Sequence, residues 1–196
     1  MGNISVDYYN NNAHKFISST QNVDLSNLQN KFCMYLKDKT RILDFGCGTG
    51  RDAKAFIEAG YHVDAIDGSI EMVKFARTFC NIDVKHLLFE DYSPDKLYDG
   101  IWACASLLHL SKYELCQIFP KLHDSLERDG ILYTSFKYGN FEGIRRDRHF
   151  TDFTEEDFLI FIKDFDFIII DMFVSSDVRR ERNEEKWLNV FLKRIN

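Results

Sequence analysis

The chain is poor in several features that would decide its class at once. It has only two prolines, and its five cysteines, Cys33, Cys47, Cys80, Cys104 and Cys116, show neither C-x-x-C spacing nor clustering with histidine. That pattern excludes a dense disulfide scaffold and the common structural zinc sites, and it reads as free thiols in a reducing compartment. No apolar run approaches the roughly 18 residues of a membrane span, and no secretory leader is visible, so the expected location is the cytoplasm, without a membrane partner. No linker, repeat or low-complexity segment interrupts the 196 residues, so one domain over 1–196 is expected. Basic residues are outnumbered 25 to 31, giving a net charge of −6, which argues against a broad nucleic-acid surface. A hydrophobic content of 45% is ordinary for a globular core.

The most informative stretch is Arg41-Ile42-Leu43-Asp44-Phe45-Gly46-Cys47-Gly48-Thr49-Gly50-Arg51-Asp52. A short apolar strand runs into an acid, three glycines follow at alternate positions, and a helical pattern begins. Without Cβ atoms the turn can adopt positive φ and let a ligand touch the backbone. The helix start carries partial positive charge and offers N–H groups to an anionic ligand end. The spacing is G-x-G-x-G, not the G-x-G-x-x-G of dinucleotide sites. Asp44 and Asp52 flank the turn, which disfavours a pyrophosphate. A second strand ends at Asp67-Gly68-Ser69, with Asp67 close to the roughly 20-residue offset of a ribose-binding acid. Asp64 is the competing acid, but its mid-strand position should make an ionised carboxylate costly. Ser69 can cap the helix that follows, leaving Asp67 free for a ligand.

Strand patterns at Arg41–Phe45, His62–Ile66, Val84–Leu88, Ile101–Ala105 and Gly130–Phe136 alternate with helical ones at Asp52–Ala59, Ile70–Thr78 and Lys112–Leu126. Pro120 is expected to kink the last run or mark its start. Such alternation implies a parallel sheet with helices on both faces. Asp166–Val174 and Lys186–Lys193 read as a terminal strand pair at the sheet edge.

The glycine run and Asp67 resemble motif I and the ribose acid of the class I S-adenosylmethionine (SAM) methyltransferases. Leu97-Tyr98-Asp99-Gly100-Ile101-Trp102 is similar to that family's fourth strand. Tyr8–Thr20 resembles the aromatic opening of its small-molecule, tellurite-resistance-like branch. The resemblance implies an α/β, Rossmann-like methyltransferase fold with a mostly parallel seven-stranded sheet, its last strand antiparallel. It implies SAM as cofactor, held by Tyr9, Asp44, Gly46, Cys47, Gly48, Arg51, Asp67, Gly68, Met72, Ala103 and Ser106. The usual adenine acid is displaced: Phe89 stands in its place, so Phe89 backbone or the Glu90 carboxylate is expected there. Residues 1–20 are expected to form a cofactor lid, with aromatic faces toward a sulfonium. His109 is the one histidine placed near the chemistry, with a catalytic role set against a structural one.

Residues 137–153 leave the fifth strand with arginines, aromatics and glycines, as a substrate loop would. Arg145 and Arg148 there, with Arg179 from a second cluster that also holds Arg180 and Arg182, point to an anionic acceptor. The opposing possibility is that Asp147, Asp152, Glu155 and Glu156 neutralise the first cluster. No Asn/Asp-Pro-Pro-Tyr and no Pro-Cys nucleophile is present, which weakens a nucleobase acceptor. A small-molecule acceptor is therefore expected of a monomer or homodimer. An RNA methyltransferase, an NAD(P)-dependent oxidoreductase and a non-catalytic SAM-binding regulator remain the alternatives.

Overall fold

The computed structural model describes residues 3–37 and 40–195, with Arg180 described by its backbone alone. Seven strands form one sheet in the order β3-β2-β1-β4-β5-β9-β8. They are β1 (Arg41–Phe45), β2 (His62–Asp67), β3 (Val84–His86), β4 (Tyr98–Ala103), β5 (Leu126–Lys137), β8 (Phe167–Ser176) and β9 (Lys186–Arg194). Strands β1 to β5 pair in parallel, and β9 runs antiparallel to both β5 and β8. The antiparallel strand is therefore the last in sequence but not the outermost. A separate hairpin joins β6 (Glu142–Arg145) to β7 (Arg148–Thr151) through Arg146 and Asp147, both at positive φ.

Parallel strands need helical crossovers, and those helices bury both sheet faces. Alternation along β1 shows this directly. Leu43 and Phe45 face a core with Ile101, Leu132, Phe119 and Phe158, whereas Ile42 faces one with Phe56, Trp102, Tyr133 and Phe191. The helices are α1 (Ile4–Asn11), α2 (Ala13–Thr20), α3 (Ser26–Met34), α4 (Arg51–Glu58), α5 (Ile70–Cys80), α6 (Lys112–Asp124) and α7 (Glu155–Ile162). Helix α6 starts at a Ser111–Glu114 capping box, so Pro120 lies inside it and does not mark its start. No described helix is long and apolar enough to cross a membrane.

Several strand limits differ from the sequence pattern, and three of them have a visible cause. β3 stops at His86 because the chain turns at residues 89–91, where Asp91 and Tyr92 donate back to the carbonyls of Leu88 and Phe89. β4 ends at Ala103 because Ala105 takes φ +52 and leaves the sheet. β5 begins at Leu126, before its turn glycine, because Leu126 already pairs with Tyr98.

Candidate active site

The carboxyl ends of β1, β2, β4 and β5 open into a cavity of about 950 Å³, roofed by α1 and α2 and bounded by the β6–β7 hairpin. Its floor begins at the glycine turn. Gly46, Gly48 and Gly50 all have positive φ. A Cβ on Gly46 would lie 2.5 Å from the Ser106 Cβ and 2.9 Å from the Phe89 ring, so the turn is packed from the protein side. Its N–H groups are also largely taken. Gly46 and Cys47 donate to the Ile66 carbonyl, Gly50 to that of Cys47, and Gly48 to the Asp67 carboxylate at 2.8 Å. The turn thus supplies shape and close approach, and not the row of free donors that the sequence pattern suggested.

Asp67 stands at the end of β2. One carboxylate oxygen accepts from Gly48 N–H and the other from Ser69 N–H, each at 2.8 Å. A carboxylate has about four acceptor positions, so each oxygen keeps capacity for a further donor. Burial raises its pKa, against the pull of those two N–H groups and of His86. Ser69 does cap α5, accepting from Met72 N–H. Asp64 behaves otherwise than expected. It accepts from Lys96 Nζ and Tyr98 Oη at 3.0 Å, and these partners outweigh partial burial and lower its pKa. Strand β3 pairs only from Ala65 onward, which leaves Asp64 near water, so its charge is inexpensive.

Of the other cofactor residues expected from sequence, Tyr9, Cys47, Arg51, Gly68, Met72, Phe89 and Ser106 line the cavity with the glycines and Asp67. Phe89 stacks on Phe45 at 4.6 Å. Asp44, Ala103 and Glu90 do not line it. Asp44 is buried beneath the turn with Oδ2 unpartnered, and burial together with Asp52 pushes its pKa well up. Ala103 is wholly buried within β4. Glu90 is exposed, and its carbonyl accepts from Lys121. Arg51 is turned onto Asp52, which also accepts from Gln29 and Trp102.

The roof is tied down at several points. Asn10 of α1 accepts from Ser69 Oγ at 2.7 Å, and Ser5 Oγ accepts from His149 N–H. Tyr9 meets His109, which ends a 3-10 turn (Leu107–His109) after β4; its hydroxyl lies 2.8 Å from His109 Nε2. His109 Nδ1 lies 2.8 Å from the His149 carbonyl, a pure acceptor, so Nδ1 carries the proton and Nε2 accepts from Tyr9. Burial lowers the His109 pKa to about 4 despite that carbonyl, and the neighbouring Arg148 pushes the same way.

The arginines divide. Arg145 makes a bidentate pair with buried Asp152, and Arg179 another with Asp177. Arg146 reaches Glu185. Arg148 has no carboxylate partner among those described. Its guanidinium lies 4.3 Å over the Tyr8 ring, donates to the Tyr9 hydroxyl at 3.2 Å, and keeps a buried Nε without a partner. The side chain of Arg180 lies outside the described residues. Lys137, the first residue of the expected substrate loop, ends β5 instead, pairs with Glu185 and lies 3.8 Å over the Trp187 ring. Sequence reasoning missed Asn189, which accepts from Tyr133 Oη. Nothing in local spacing marks it; only the pairing of β5 with β9 brings it to the cavity.

A parallel sheet with one antiparallel strand beside β5, and a glycine turn and acid at adjacent strand ends, defines the Rossmann-like methyltransferase fold. The sequence profile described as Methyltransferase domain matches residues 42–130. The chain is 34% identical over 113 residues to YqeM of Bacillus subtilis, which is provisionally named a methyltransferase; the match covers 52% of this chain but only 46% of that one. It is 26% identical over 163 residues to an uncharacterized methyltransferase of Staphylococcus carnosus, covering 78% of each. The structure superposes on the Burkholderia thailandensis 1,6-didemethyltoxoflavin-N1-methyltransferase, solved with bound 1,6-didemethyltoxoflavin and S-adenosylhomocysteine, with a TM-score of 0.79 at 18% identity, covering 97% of this chain and 87% of that one. Residues 42–130 match the methyltransferase domain profile, and the fold as a whole is similar to that of S-adenosylmethionine-dependent methyltransferases of known structure. They do not single out the tellurite-resistance branch.

Proposed function

We propose that this protein transfers a methyl group from SAM to a small anionic acceptor. The observation that carries the reading is one continuous cavity that runs from Gly48 and Asp67 to Arg148. Its lining holds more cationic than anionic side chains, the reverse of the chain as a whole. About 950 Å³ is at the upper end of the usual range for small-molecule sites, which suits a cofactor and an acceptor together.

The residues present fit SAM. Asp67 retains lone pairs for two ribose hydroxyls, and Phe89 offers an apolar wall for an adenine. A Cβ on Gly48 would meet only Phe16 of the roof, at an ordinary contact distance of 3.7 Å. When bound, SAM supplies a methyl group activated by a sulfonium. The protein's share is alignment and exclusion of water, which together account for much of the rate in such displacements. Helices α1 and α2 serve as the lid, and the 137–153 segment as the acceptor loop. His109 acts in this reading by fixing the Tyr9 hydroxyl and not as a direct base. Arg148 takes the acceptor's negative charge, whereas Arg145 and Arg179 are spent on Asp152 and Asp177 and shape the wall.

The test is to incubate the protein with radiolabelled SAM and a fractionated cell extract. Label in small anionic molecules supports the proposal. Label in RNA or protein overturns the acceptor class, and bound SAM without transfer identifies a regulator. A parallel thermal shift with S-adenosylhomocysteine, NAD and NADP separates the dinucleotide alternative, which requires stabilisation by the nicotinamide cofactors alone.

A further inference from the structure

Apart from Asp67 and the carboxylates exposed at the rim, the proton acceptors that line the cavity are already committed to other partners, and this constrains the acceptor. His109 uses both ring nitrogens: Nδ1 donates to the His149 carbonyl and Nε2 accepts from Tyr9. The titratable and charged groups facing it are Arg148, which approaches through Tyr9, and His149, and both oppose any positive charge on the ring. Asp52 accepts from Arg51, Gln29 and Trp102. Asp152 is closed by Arg145, and Asp177 by Arg179 and Trp187. Glu185 is held by Lys137 and Arg146. The other carboxylates at the mouth, Asp24 and Glu184, are exposed at its rim. Cys104 and Tyr133 are no substitute, because burial pushes the thiol up to about 12 and the phenol upward, so both keep their protons.

Resting on the SAM reading, in which Asp67 is occupied by the ribose, we infer that the acceptor enters as an anionic nucleophile whose attacking lone pair is already free at neutral pH. A thiolate or an oxyanion with exposed lone pairs meets this requirement; an alcohol does not. In the transfer, the acceptor's lone pair forms the bond to the methyl carbon while the carbon–sulfur bond breaks and its pair returns to sulfur. No proton changes hands, and positive and negative charge cancel as the methyl moves. The geometry at Arg148 agrees with this chemistry. A guanidinium stacked on Tyr8, with a buried and unpartnered Nε, stabilises a charge that is present before reaction, not one created by a base during it.

The experiment uses the full chain saturated with S-adenosylhomocysteine, and three probes: an aryl thiol of low pKa, an alkyl thiol and a phenol. Binding is followed by calorimetry as a function of pH, in buffers of differing ionisation heat. The expected result is that each thiol's affinity falls about tenfold per pH unit below that thiol's own pKa. Above that pKa it binds with no proton taken up by the protein. His109→Gln should leave those midpoints unmoved, and Arg148→Gln should weaken the thiolates while leaving the phenol unchanged. With SAM in place of its product, methyl transfer to the thiols should follow the same pH dependence. A midpoint shared by all probes and shifted by His109→Gln would reveal a protein base and overturn the inference. So would equal binding of phenol and thiolate, or no binding of either thiol to a protein that still binds S-adenosylhomocysteine. Failure to bind S-adenosylhomocysteine at all would instead remove the cofactor reading.

Discussion

Tyr9 and His109, one hundred positions apart, share a 2.8 Å hydrogen bond in which the phenol is the donor, because the His149 carbonyl fixes the imidazole tautomer. This contact fastens α1 over the glycine turn. Tyr9→Phe removes the bond and the Arg148 contact while keeping the ring against Phe16. The expected loss is about 0.5–1.5 kcal/mol, or roughly two- to tenfold in S-adenosylhomocysteine affinity by calorimetry. Hydrogen exchange in residues 4–20 should slow on binding in the wild type and slow less in the variant. Unchanged exchange in both would make the segment ordinary scaffold.

The same histidine sets a pH dependence of stability. Its folded pKa of about 4 lies below the unfolded value of about 6.5, so the unfolded chain binds a proton that the folded chain refuses. Stability therefore falls as pH drops from about 6.5 toward 4 and levels off below that. The loss from this group is at most about 3 kcal/mol. Urea unfolding of the wild type and of His109→Gln between those pH values should show a shallower decline in the variant. Parallel curves would remove His109 as the cause.

Glycine substitutions should separate fold from site. Gly50 has φ +76, and a Cβ there would overlap Cys80 Sγ, so Gly50→Ala should lower Tm by several degrees or prevent folding. Gly48 has φ +54, but a Cβ there would make only an ordinary contact with Phe16, so Gly48→Arg should fold with about 1 kcal/mol of strain and lose S-adenosylhomocysteine binding by filling the cavity. Undiminished binding in Gly48→Arg would move the cofactor elsewhere.

Asp67→Ala should weaken S-adenosylhomocysteine binding by about 1.5–3 kcal/mol, roughly ten- to hundredfold, if the carboxylate holds both ribose hydroxyls. Some loss of stability should accompany it, since Gly48 and Ser69 lose their acceptor. Asp64→Asn breaks a partly exposed pair with Lys96 and should cost no more than about 1 kcal/mol, with binding unchanged. The reverse ranking would assign the ribose to Asp64.

The half of the molecule that local pattern describes was the readable half. Strand, glycine turn and helix are encoded within a dozen residues from Arg41, and the bounds of β1 and the start of α5 follow from alternation and a serine cap. The roles of the charged residues were harder to read because they depend on partners distant in sequence. Arg148 and Arg145 stand three residues apart in one hairpin, yet only the latter meets a buried carboxylate. Asp64 looked costly within a strand, and became inexpensive because β3 is too short to cover it. Asn189 carried no local signal, since the pairing of β5 with β9 is what brings it to the cavity wall.

The placement of β9 between β5 and β8 has a consequence for how the molecule assembles. During synthesis the glycine turn, Asp67 and Phe89 are all made before residue 90, so the cofactor side can begin to organise early. The side proposed for the acceptor cannot, because Trp187 and Asn189 follow both β5 and β8 in the chain and must enter between them. A chain stopped before Lys186 would leave the β5 edge open beside buried Tyr133, exposing a strand ready to pair with another molecule. The wall proposed for the acceptor is thus also the seam that closes the fold, and lesions there should appear as aggregation before they appear as altered specificity.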